Sequence, residues 1–454
     1  MPDDHQTSGP KLKQTLGFWQ VALYGTGSML GAGIYGLIDD AAGTLGNAVW
    51  LAFAASMVAA LLTGLSYACV GSRHPRAGGA AYVSHQAFNK AWLAYVVGIV
   101  VMMSGLTSMA TGAQLMVETI NKAFELSLNL KLFAIVIVAL IGCVIYRGIR
   151  ESMWLNILCT VVEASGLLFI IAMGVKYWGT VNYLEIPPAE PGAENVLALV
   201  ILQGAVLTFY SFIGFEDLLN ISEEVKDAPR NLPRGLIAAM LVSTCIYMAV
   251  AITAVSVVPW QELAANKAPL MEVARRAAPW FGGVDEVYFI ITIFAVGNTA
   301  LLNYIMGSRL LYGMSRQGLV PKVLGHIHPI RLTPHVAVII LFFIVSVLIL
   351  IGGVKQLAEA TVLLLLVVFT IVNVSLLVLK RRDGEKKGQF EVPALVPLLG
   401  ALVCATLIVI RVQAAVSSND SASSRAPIIA GIIIAVGLAM YAILRPKHVL
   451  LDED

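Results

Sequence analysis

The acidic side chains of Glu163, Glu216 and Asp217 lie inside otherwise apolar stretches of this chain. On membrane-insertion scales, a charged side chain at the centre of a helix costs about 3 kcal/mol. A carboxyl group kept at that depth predicts either the binding of a proton or cation, or a neutral, protonated acid with a structural role. We favour proton or cation binding at Glu163 and Glu216, and the structural interpretation stays open.

Glycine is dense from Gly25 to Gly36, where five of twelve residues are glycine. Each glycine in a helix interior costs roughly 1 kcal/mol relative to alanine, and irregular backbone inside a bilayer is tolerated only where it lines a cavity or is buried in protein. We interpret the stretch as a broken helix whose free N–H and C=O groups form a binding site. Gly27 and Gly31 also form a GxxxG pair, so close helix packing is the alternative.

A second break is indicated at Gly214, which precedes Glu216 and Asp217 in an apolar segment. The aromatic residues before it, Phe209 and Phe212, fit either a cavity wall or a plain core. Small polar residues at helical spacing in the segment 90–117 have the same two interpretations, packing or cavity lining. They are Ser104, Thr107, Ser108, Thr111 and Gln114, of which Thr107 is our candidate substrate contact.

Twelve hydrophobic windows of membrane-spanning length can be placed along the chain. The mean hydropathy of +0.82, with 58% hydrophobic and 13% charged residues, is far from that of a soluble domain. We therefore predict an all-α membrane protein with twelve transmembrane helices. The windows are 17–42, 47–71, 90–117, 131–147, 153–177, 197–220, 235–258, 286–313, 335–351, 357–379, 392–412 and 427–444.

The basic residues predict the orientation. With the N-terminus inside, most of the 30 lysines and arginines fall on the inner side, as the positive-inside rule requires. We predict a multi-pass protein of the cell inner membrane with both termini in the cytoplasm. The first span has no small-residue cleavage site, so no signal peptide is expected.

Several function classes are disfavoured by composition. The five cysteines lack metal-ligand spacing and the seven histidines fall in tails or loops, so we expect no metal site and no intramembrane metalloenzyme. The pattern Gly31-x-Gly33-x-x-Gly36 has no preceding strand, so we expect no nucleotide cofactor. A net charge of +2 gives no indication of nucleic acid.

The predicted interruptions lie in the first and the sixth spans. Because the sixth span follows an odd number of crossings, five, the second group of five helices begins on the opposite side of the membrane from the first. Paired interruptions in inverted halves are typical of secondary transporters that bind substrate near the midplane. The predicted units are an N-terminal tail, a first repeat of five helices, a second repeat of five, two additional helices and a C-terminal tail. Their bounds are 1–14, 15–178, 195–380, 391–445 and 446–454.

Four motifs in order resemble the amino acid–polyamine–organocation permeases, and most closely bacterial amino acid permeases related to cationic amino acid transporters. They span nearly the whole chain, and the resemblance implies a LeuT-like core of two inverted five-helix repeats with discontinuous helices 1 and 6. The motifs are Gly27–Ile34, Pro75–Tyr82, Ser211–Glu216 with Glu223–Pro233, and Ser308–Pro321.

The resemblance also implies roles for individual residues. Backbone N–H groups of Gly31, Ala32 and Gly33 would bind a substrate carboxylate, as helix N-termini do. The remaining implied contacts are the carbonyls of Met29, Tyr210 and Ile213 for the α-ammonium, an aromatic gate at Tyr210 or Phe215, and an acid at Glu216 linked to protonation or to basic substrates.

One position departs from the resemblance. Proton-coupled permeases of this kind commonly carry a lysine in the fifth span, and Glu163 stands in its place. A protonated carboxyl can donate to a carbonyl of the first helix, whereas an ionised one needs Na⁺ or the substrate as a partner. Asn298 and Thr299 of the eighth span are the expected neighbours.

We therefore predict a secondary active transporter that moves an amino acid across the lipid bilayer by alternating access, coupled to protons. The alternatives are an amine or polyamine carrier, an amino acid exchanger and a Na⁺-coupled permease. An intramembrane enzyme or a receptor is the alternative from another class, and the absence of a nucleophile–base motif argues against catalysis.

Overall fold

The computed structural model describes residues 16–75, 79–147, 149–188, 197–222, 225–266, 268–316, 318–328, 333–417 and 425–444. Within these ranges the protein is helical, and its only β-type pairing is an isolated bridge between Leu16 and Val225. The predicted termini, part of the Pro75–Tyr82 motif, Glu223, Glu224 and most of the loop before the last span lie outside the described residues.

The described residues form seven α-helices up to Gly174 and nine from Leu197 onward. The first seven are α1 (Phe18–Met29), α2 (Ala32–Leu45), α3 (Val49–Arg73), α4 (Gly79–Phe88), α5 (Ala91–Ala123), α6 (Leu130–Arg147) and α7 (Ile149–Gly174). The others are α8 (Leu197–Thr208), α9 (Ala228–Val257), α10 (Trp260–Ala265), α11 (Pro269–Ala277), α12 (Val284–Arg316), α13 (His335–Ile351), α14 (Val354–Arg381), α15 (Leu395–Ser417) and α16 (Arg425–Leu444).

Apolar helices of membrane-spanning length dominate this list. Among the described residues, nine helical stretches are long and apolar enough to cross a bilayer, and His335–Ile351 is a shorter apolar helix. Their outer faces carry exposed large apolar side chains such as Leu140 on α6, Phe343 on α13 and Ile432 on α16. Exposed leucine, isoleucine and phenylalanine on helices of this length suit a lipid environment. The protein therefore spans the membrane several times.

The interrupted helices lie at the centre of the bundle. Helix α1 packs along α9, α9 packs along α3, and the long helix α5 packs along both α12 and α14. The break between α1 and α2 and the break after α8 are enclosed by these helices, because Met29, Leu30, Phe212 and Phe215 are all buried. Protein, rather than lipid, therefore surrounds the irregular backbone, as a bilayer requires.

Candidate functional site

The first break separates α1 from α2 by two residues. Helix α1 ends at Met29, Leu30 is extended with ψ 150°, and Gly31 has φ 135° before α2 begins at Ala32. A side chain at Gly31 would adopt a strained backbone conformation and collide with Thr299 on α12. The predicted break is confirmed, and its glycine is required both for φ and for close approach to α12.

The second break follows α8. One 3₁₀ turn covers Phe209–Phe212, Ile213 is extended with ψ 136°, and Gly214 has φ 125° before a second 3₁₀ segment, Phe215–Leu219. A Cβ atom at Gly214 would lie 2.5 Å from the Ser28 carbonyl oxygen. The two breaks thus share a local design, an extended residue followed by a glycine with positive φ.

The two breaks are in contact with each other. A Cβ atom on Gly33 would lie 2.5 Å from the Cα of Ser211. The hydroxyl of Tyr247 on α9 lies 2.5 Å from the Met29 carbonyl oxygen and 2.8 Å from that of Ser211. A single buried hydroxyl therefore ties the end of α1 to the turn after α8.

A cavity of about 70 Å³ opens beside the breaks. One water needs only about 10–15 Å³ by a comparable measure, so the cavity admits several waters or the polar head of a small molecule. Its walls include Ser28, Met29, Gly33, Tyr210 and Ile213 from the two breaks.

The cavity lies to one side of the breaks. It is lined by residues 98–108 of α5, residues 299–310 of α12 and the start of α4 at Gly79. The opposite half of α12 is covered by α11, which also packs on α2, α7 and α9. The described lining of the cavity therefore includes the start of α4 and no residue of α11.

Six of the predicted site residues line this cavity, and they come from three elements. They are Met29 and Gly33 of the first break, Tyr210, Ile213 and Glu216 of the second, and Thr299 of α12. Glu216 accepts a hydrogen bond from the Gly214 backbone N–H at 2.8 Å, so its carboxylate also supports the second break.

Gly31 is a predicted contact that does not line the cavity, and the predicted side-chain contacts Thr107 and Phe215 are not brought to it either. Thr107 is fully buried and its hydroxyl pairs with that of Thr361 on α14 at 2.7 Å. Phe215 is also fully buried, with its ring centroid 5.1 Å from that of Phe369 and 5.6 Å from that of Tyr67. Periodicity places both on the correct helices, but their side chains point into helix packing. In the described geometry, Tyr210 is the gate candidate that reaches the cavity.

Glu163 lies on α7, and its backbone carbonyl accepts a hydrogen bond from the Tyr35 hydroxyl of α2 at 2.6 Å. It is 0% exposed, and neither carboxyl oxygen has a hydrogen-bond partner. Asn298 lies close to the carboxyl group, but the geometry falls short of a hydrogen bond. The Asn298 amide instead accepts from Asn156 at 2.9 Å and donates to Thr160 at 3.4 Å. The expected neighbourhood of Glu163 and Asn298 is therefore present, with the acid unpaired.

The sequence profile of the amino acid permease family matches residues 16–438, which is nearly the whole chain. The chain belongs to this family. Its resemblance to the amino acid–polyamine–organocation permeases is thereby confirmed, and the family consists of transporters rather than enzymes.

Named relatives of the permease transport several kinds of solute. The branched-chain amino acid permease BcaP of Bacillus subtilis is 28% identical over 429 residues, covering 88% of this chain and 89% of that protein. The methylthioribose transporter of Bacillus subtilis is 27% identical over 422 residues, with 88% of each chain covered. The chloroplastic cationic amino acid transporter 9 of Arabidopsis thaliana is 30% identical over 347 residues, covering 71% of this chain and 59% of that protein.

The permease site also contains two tyrosines that the sequence did not single out, Tyr247 and Tyr67, and a hydrogen-bonded chain that includes Ser108. Tyr247 joins the two breaks, and Asn303 donates to the Ser108 hydroxyl at 3.2 Å, which in turn pairs with Tyr210 at 2.8 Å. Tyr67 of α3 lines the cavity as well. A tyrosine in an apolar segment has a polar tip that usually needs a partner when buried, and that was the available signal for Tyr67 and Tyr247.

Proposed function

We propose that this permease carries an amino acid across the membrane by alternating access and that proton binding drives uptake. The observation that carries the proposal is the pair of glycine-hinged breaks that meet beside one cavity. Free backbone donors and acceptors at the same place suit a zwitterion, which presents one carboxylate and one ammonium group close together.

The substrate carboxylate is assigned to the start of α2. The first N–H groups of a helix have no partner within the helix, and the positive end of the helix dipole favours an anion. In α2 the first helical bond runs from the Tyr35 N–H to the Gly31 carbonyl. The donors before it, at Gly31, Ala32 and Gly33, are therefore the proposed carboxylate site, and Gly33 reaches the cavity wall.

The α-ammonium is assigned to carbonyl oxygens freed by the breaks, at Met29, Tyr210 and Ile213. The Met29 carbonyl already accepts from Tyr247, and the Tyr210 carbonyl accepts from the Ile213 N–H at 3.3 Å. A carbonyl oxygen has two lone pairs, so each can still accept from an ammonium group. Tyr210, held by Ser108, is the proposed aromatic gate over the bound head group.

Alternating access follows from the architecture proposed for the whole chain. Ten of the twelve proposed spans form two inverted repeats, 15–178 and 195–380, with one broken helix in each repeat, and the other two spans lie in 391–445. Rocking of one group of helices against another would open the site to each side in turn. The cavity lies toward the α4 end of the bundle, which in the proposed orientation, with both termini in the cytoplasm of a cell inner membrane, is the cytoplasmic side.

The coupling of uptake to proton binding is assigned to Glu163 together with Asn298 and Thr299. An ionised carboxylate buried without a partner is strongly unfavourable, so Glu163 as described calls for a proton or a cation. Its neighbour Asn298 precedes Thr299, which the Gly31 turn touches, and this allows the protonation state of Glu163 to influence the break. Glu216 faces the cavity and is the second proposed coupling acid.

Uptake into proteoliposomes tests this proposal. Amino acid accumulation should follow an imposed inward proton gradient in the wild type and lose that dependence in Glu163→Gln. Glu286→Gln, which changes an exposed glutamate on α12, is the matched control and should keep it. Uptake that follows a Na⁺ gradient at constant pH, or an unchanged proton dependence in Glu163→Gln, would contradict the assignment.

A further inference from the structure

The segment 380–391, which leads from the end of α14 toward α15, is strongly basic. Five of the eight residues from 380 to 387 are lysine or arginine, and two are acidic. A cluster of four to eight basic residues directly beside a membrane-spanning helix is typical of segments that bind anionic lipids. The positive-inside rule alone also accounts for basic residues here, but it requires neither a fixed arrangement nor unpaired charges.

Contacts with α3 hold this basic segment in a defined arrangement. The Glu391 carboxylate accepts hydrogen bonds from Arg73 of α3 at 2.7 Å and from Lys380 at 2.6 Å. The Phe390 backbone N–H donates to the Ser72 hydroxyl at 2.9 Å. Both ends of the basic segment are therefore fixed to the last turn of α3.

Arg382 joins the basic segment to α4. Its guanidinium donates to the backbone carbonyls of Gln86 and Ala87 at 2.9 and 2.8 Å. These carbonyls belong to the last turn of α4, where they have no partner within the helix and where a cation is favoured by the helix dipole. The Glu385 carboxylate lies 2.7 Å from His74 Nε2, directly after α3. Arg382 and Glu385 are thus both engaged by the protein.

Three cations of the basic segment remain available to a partner. Arg381, Lys386 and Lys387 are exposed, and they make no hydrogen bond or ion pair with the rest of the described chain. Asp383 is also exposed, but one carboxylate does not balance three cations. Lysine and arginine donors match the charge and the acceptor oxygens of a phosphate group, so the chemistry of the surface suits a phosphate ester.

The lipid-facing surface of the protein begins next to these cations. Helix α15 starts at Leu395, and Leu395, Leu398 and Leu402 are all more than 40% exposed. Trp92, near the start of α5 and shortly after the turn that Arg382 caps, is exposed as well. Exposed leucine on a spanning helix faces acyl chains, and tryptophan is enriched at the level of the headgroups. The cations therefore lie near the headgroup phosphates.

We propose that Arg381, Lys386 and Lys387 form a binding surface for the headgroup phosphate of an anionic phospholipid. Arg382 and Glu391 position this surface on α4 and α3. The partner is a lipid of the surrounding bilayer, because the same edge of the protein exposes leucine and tryptophan side chains to acyl chains. The surface lies outside the cavity, so the inference does not depend on which solute the permease carries.

Lipid binding to the full-length protein tests this inference. The purified permease in detergent is titrated with phosphatidylglycerol or with phosphatidylcholine, and the affinity for the first bound lipid is measured by native mass spectrometry. We expect the wild type to prefer phosphatidylglycerol about tenfold. The triple variant Arg381→Gln, Lys386→Gln, Lys387→Gln should lose most of that preference. The charge-preserving variant Arg381→Lys, Lys386→Arg, Lys387→Arg should keep it.

A second triple variant is the matched control. Lys226→Gln, Arg230→Gln, Lys322→Gln removes three exposed cations from other parts of the chain, and it should leave the lipid preference unchanged. The side chains changed in the three variants are exposed and have no hydrogen-bond partner in the described chain, so we expect all three to melt at the wild-type temperature.

Four results would overturn the inference. Equal affinity of the wild type for the two lipids would show that no anionic headgroup is preferred. A preference that survives in the first triple variant would show that other residues bind the lipid. An equal loss in the control variant would show that total charge governs binding. Displacement of phosphatidylglycerol by inorganic phosphate at comparable concentration would assign the surface to soluble phosphate.

Discussion

Gly33 and Ser211 are in direct backbone contact, so close that a single methyl group on Gly33 would lie 2.5 Å from the Ser211 Cα. One belongs to the first turn of α2 and the other to the 3₁₀ turn after α8. Two irregular segments, nearly two hundred residues apart in sequence, thus meet at the cavity wall.

Gly33→Ala should abolish substrate binding, because the added methyl group forces the two breaks apart. Overpacking of this kind costs about 1–3 kcal/mol, and the displacement falls on the proposed carboxylate donors. Binding calorimetry and uptake are the measurements. Gly313→Ala is the matched control, because that helical glycine has open space where the methyl would go. Normal binding by Gly33→Ala would argue that the breaks do not form the site.

Tyr247→Phe should weaken both stability and substrate affinity. It removes the hydroxyl that serves the Met29 and Ser211 carbonyls, and a buried polar group left unpaired costs about 1–3 kcal/mol. Tyr304→Phe is the comparison, because its hydroxyl serves the Val338 carbonyl at 2.6 Å, away from the breaks. We expect both variants to melt at lower temperature and only Tyr247→Phe to bind substrate more weakly.

Glu391 should make stability depend on acid pH. It lies in the loop after α14 and contacts Arg73 at 2.7 Å and Lys380 at 2.6 Å. Partial burial raises the pKa of Glu391, but hydrogen bonds from Arg73, Lys380 and the Gly388 N–H outweigh this effect and lower the pKa to about 2. Because the folded-state pKa lies below the unfolded value near 4.5, the contribution is complete above that pH and is lost as pH falls toward 2.

The corresponding measurement compares melting temperatures of the wild type and Glu391→Gln from pH 7 to pH 3. The wild type should be the more stable of the two at pH 7, and the difference should shrink below about pH 4.5. A constant difference across this range would show that the variant acts through packing rather than through the charge of Glu391.

Much of the fold could be predicted from composition and glycine placement. Long apolar windows correspond to helices because a bilayer leaves backbone groups no other partner. Glycine at positions 31 and 214 indicated the two breaks. The structure gives the reason, because each glycine has a positive φ and an added Cβ atom would collide with a neighbouring helix or backbone.

Side-chain direction was the part that the sequence could not determine. Thr107 shares its helix with Ser104 and Ser108, which line the cavity, yet its own hydroxyl faces Thr361. Phe215 follows the second break directly, yet its ring packs on Phe369. Helical spacing shows which residues share one face of a helix. Which neighbouring helix that face meets depends on contacts between distant parts of the chain. Tyr247 escaped notice for the same reason, since its partners come from two distant segments.

The two breaks are proposed to recognise both charged ends of an amino acid. The deciding measurement is competition against uptake of a labelled amino acid substrate in proteoliposomes, using the unlabelled amino acid, the amine that lacks its carboxylate and the acid that lacks its amino group. We predict that only the molecule with both groups competes at comparable concentration. Equal competition by the amine would show that the donors at Gly31, Ala32 and Gly33 do not bind a carboxylate, and would contradict the central claim.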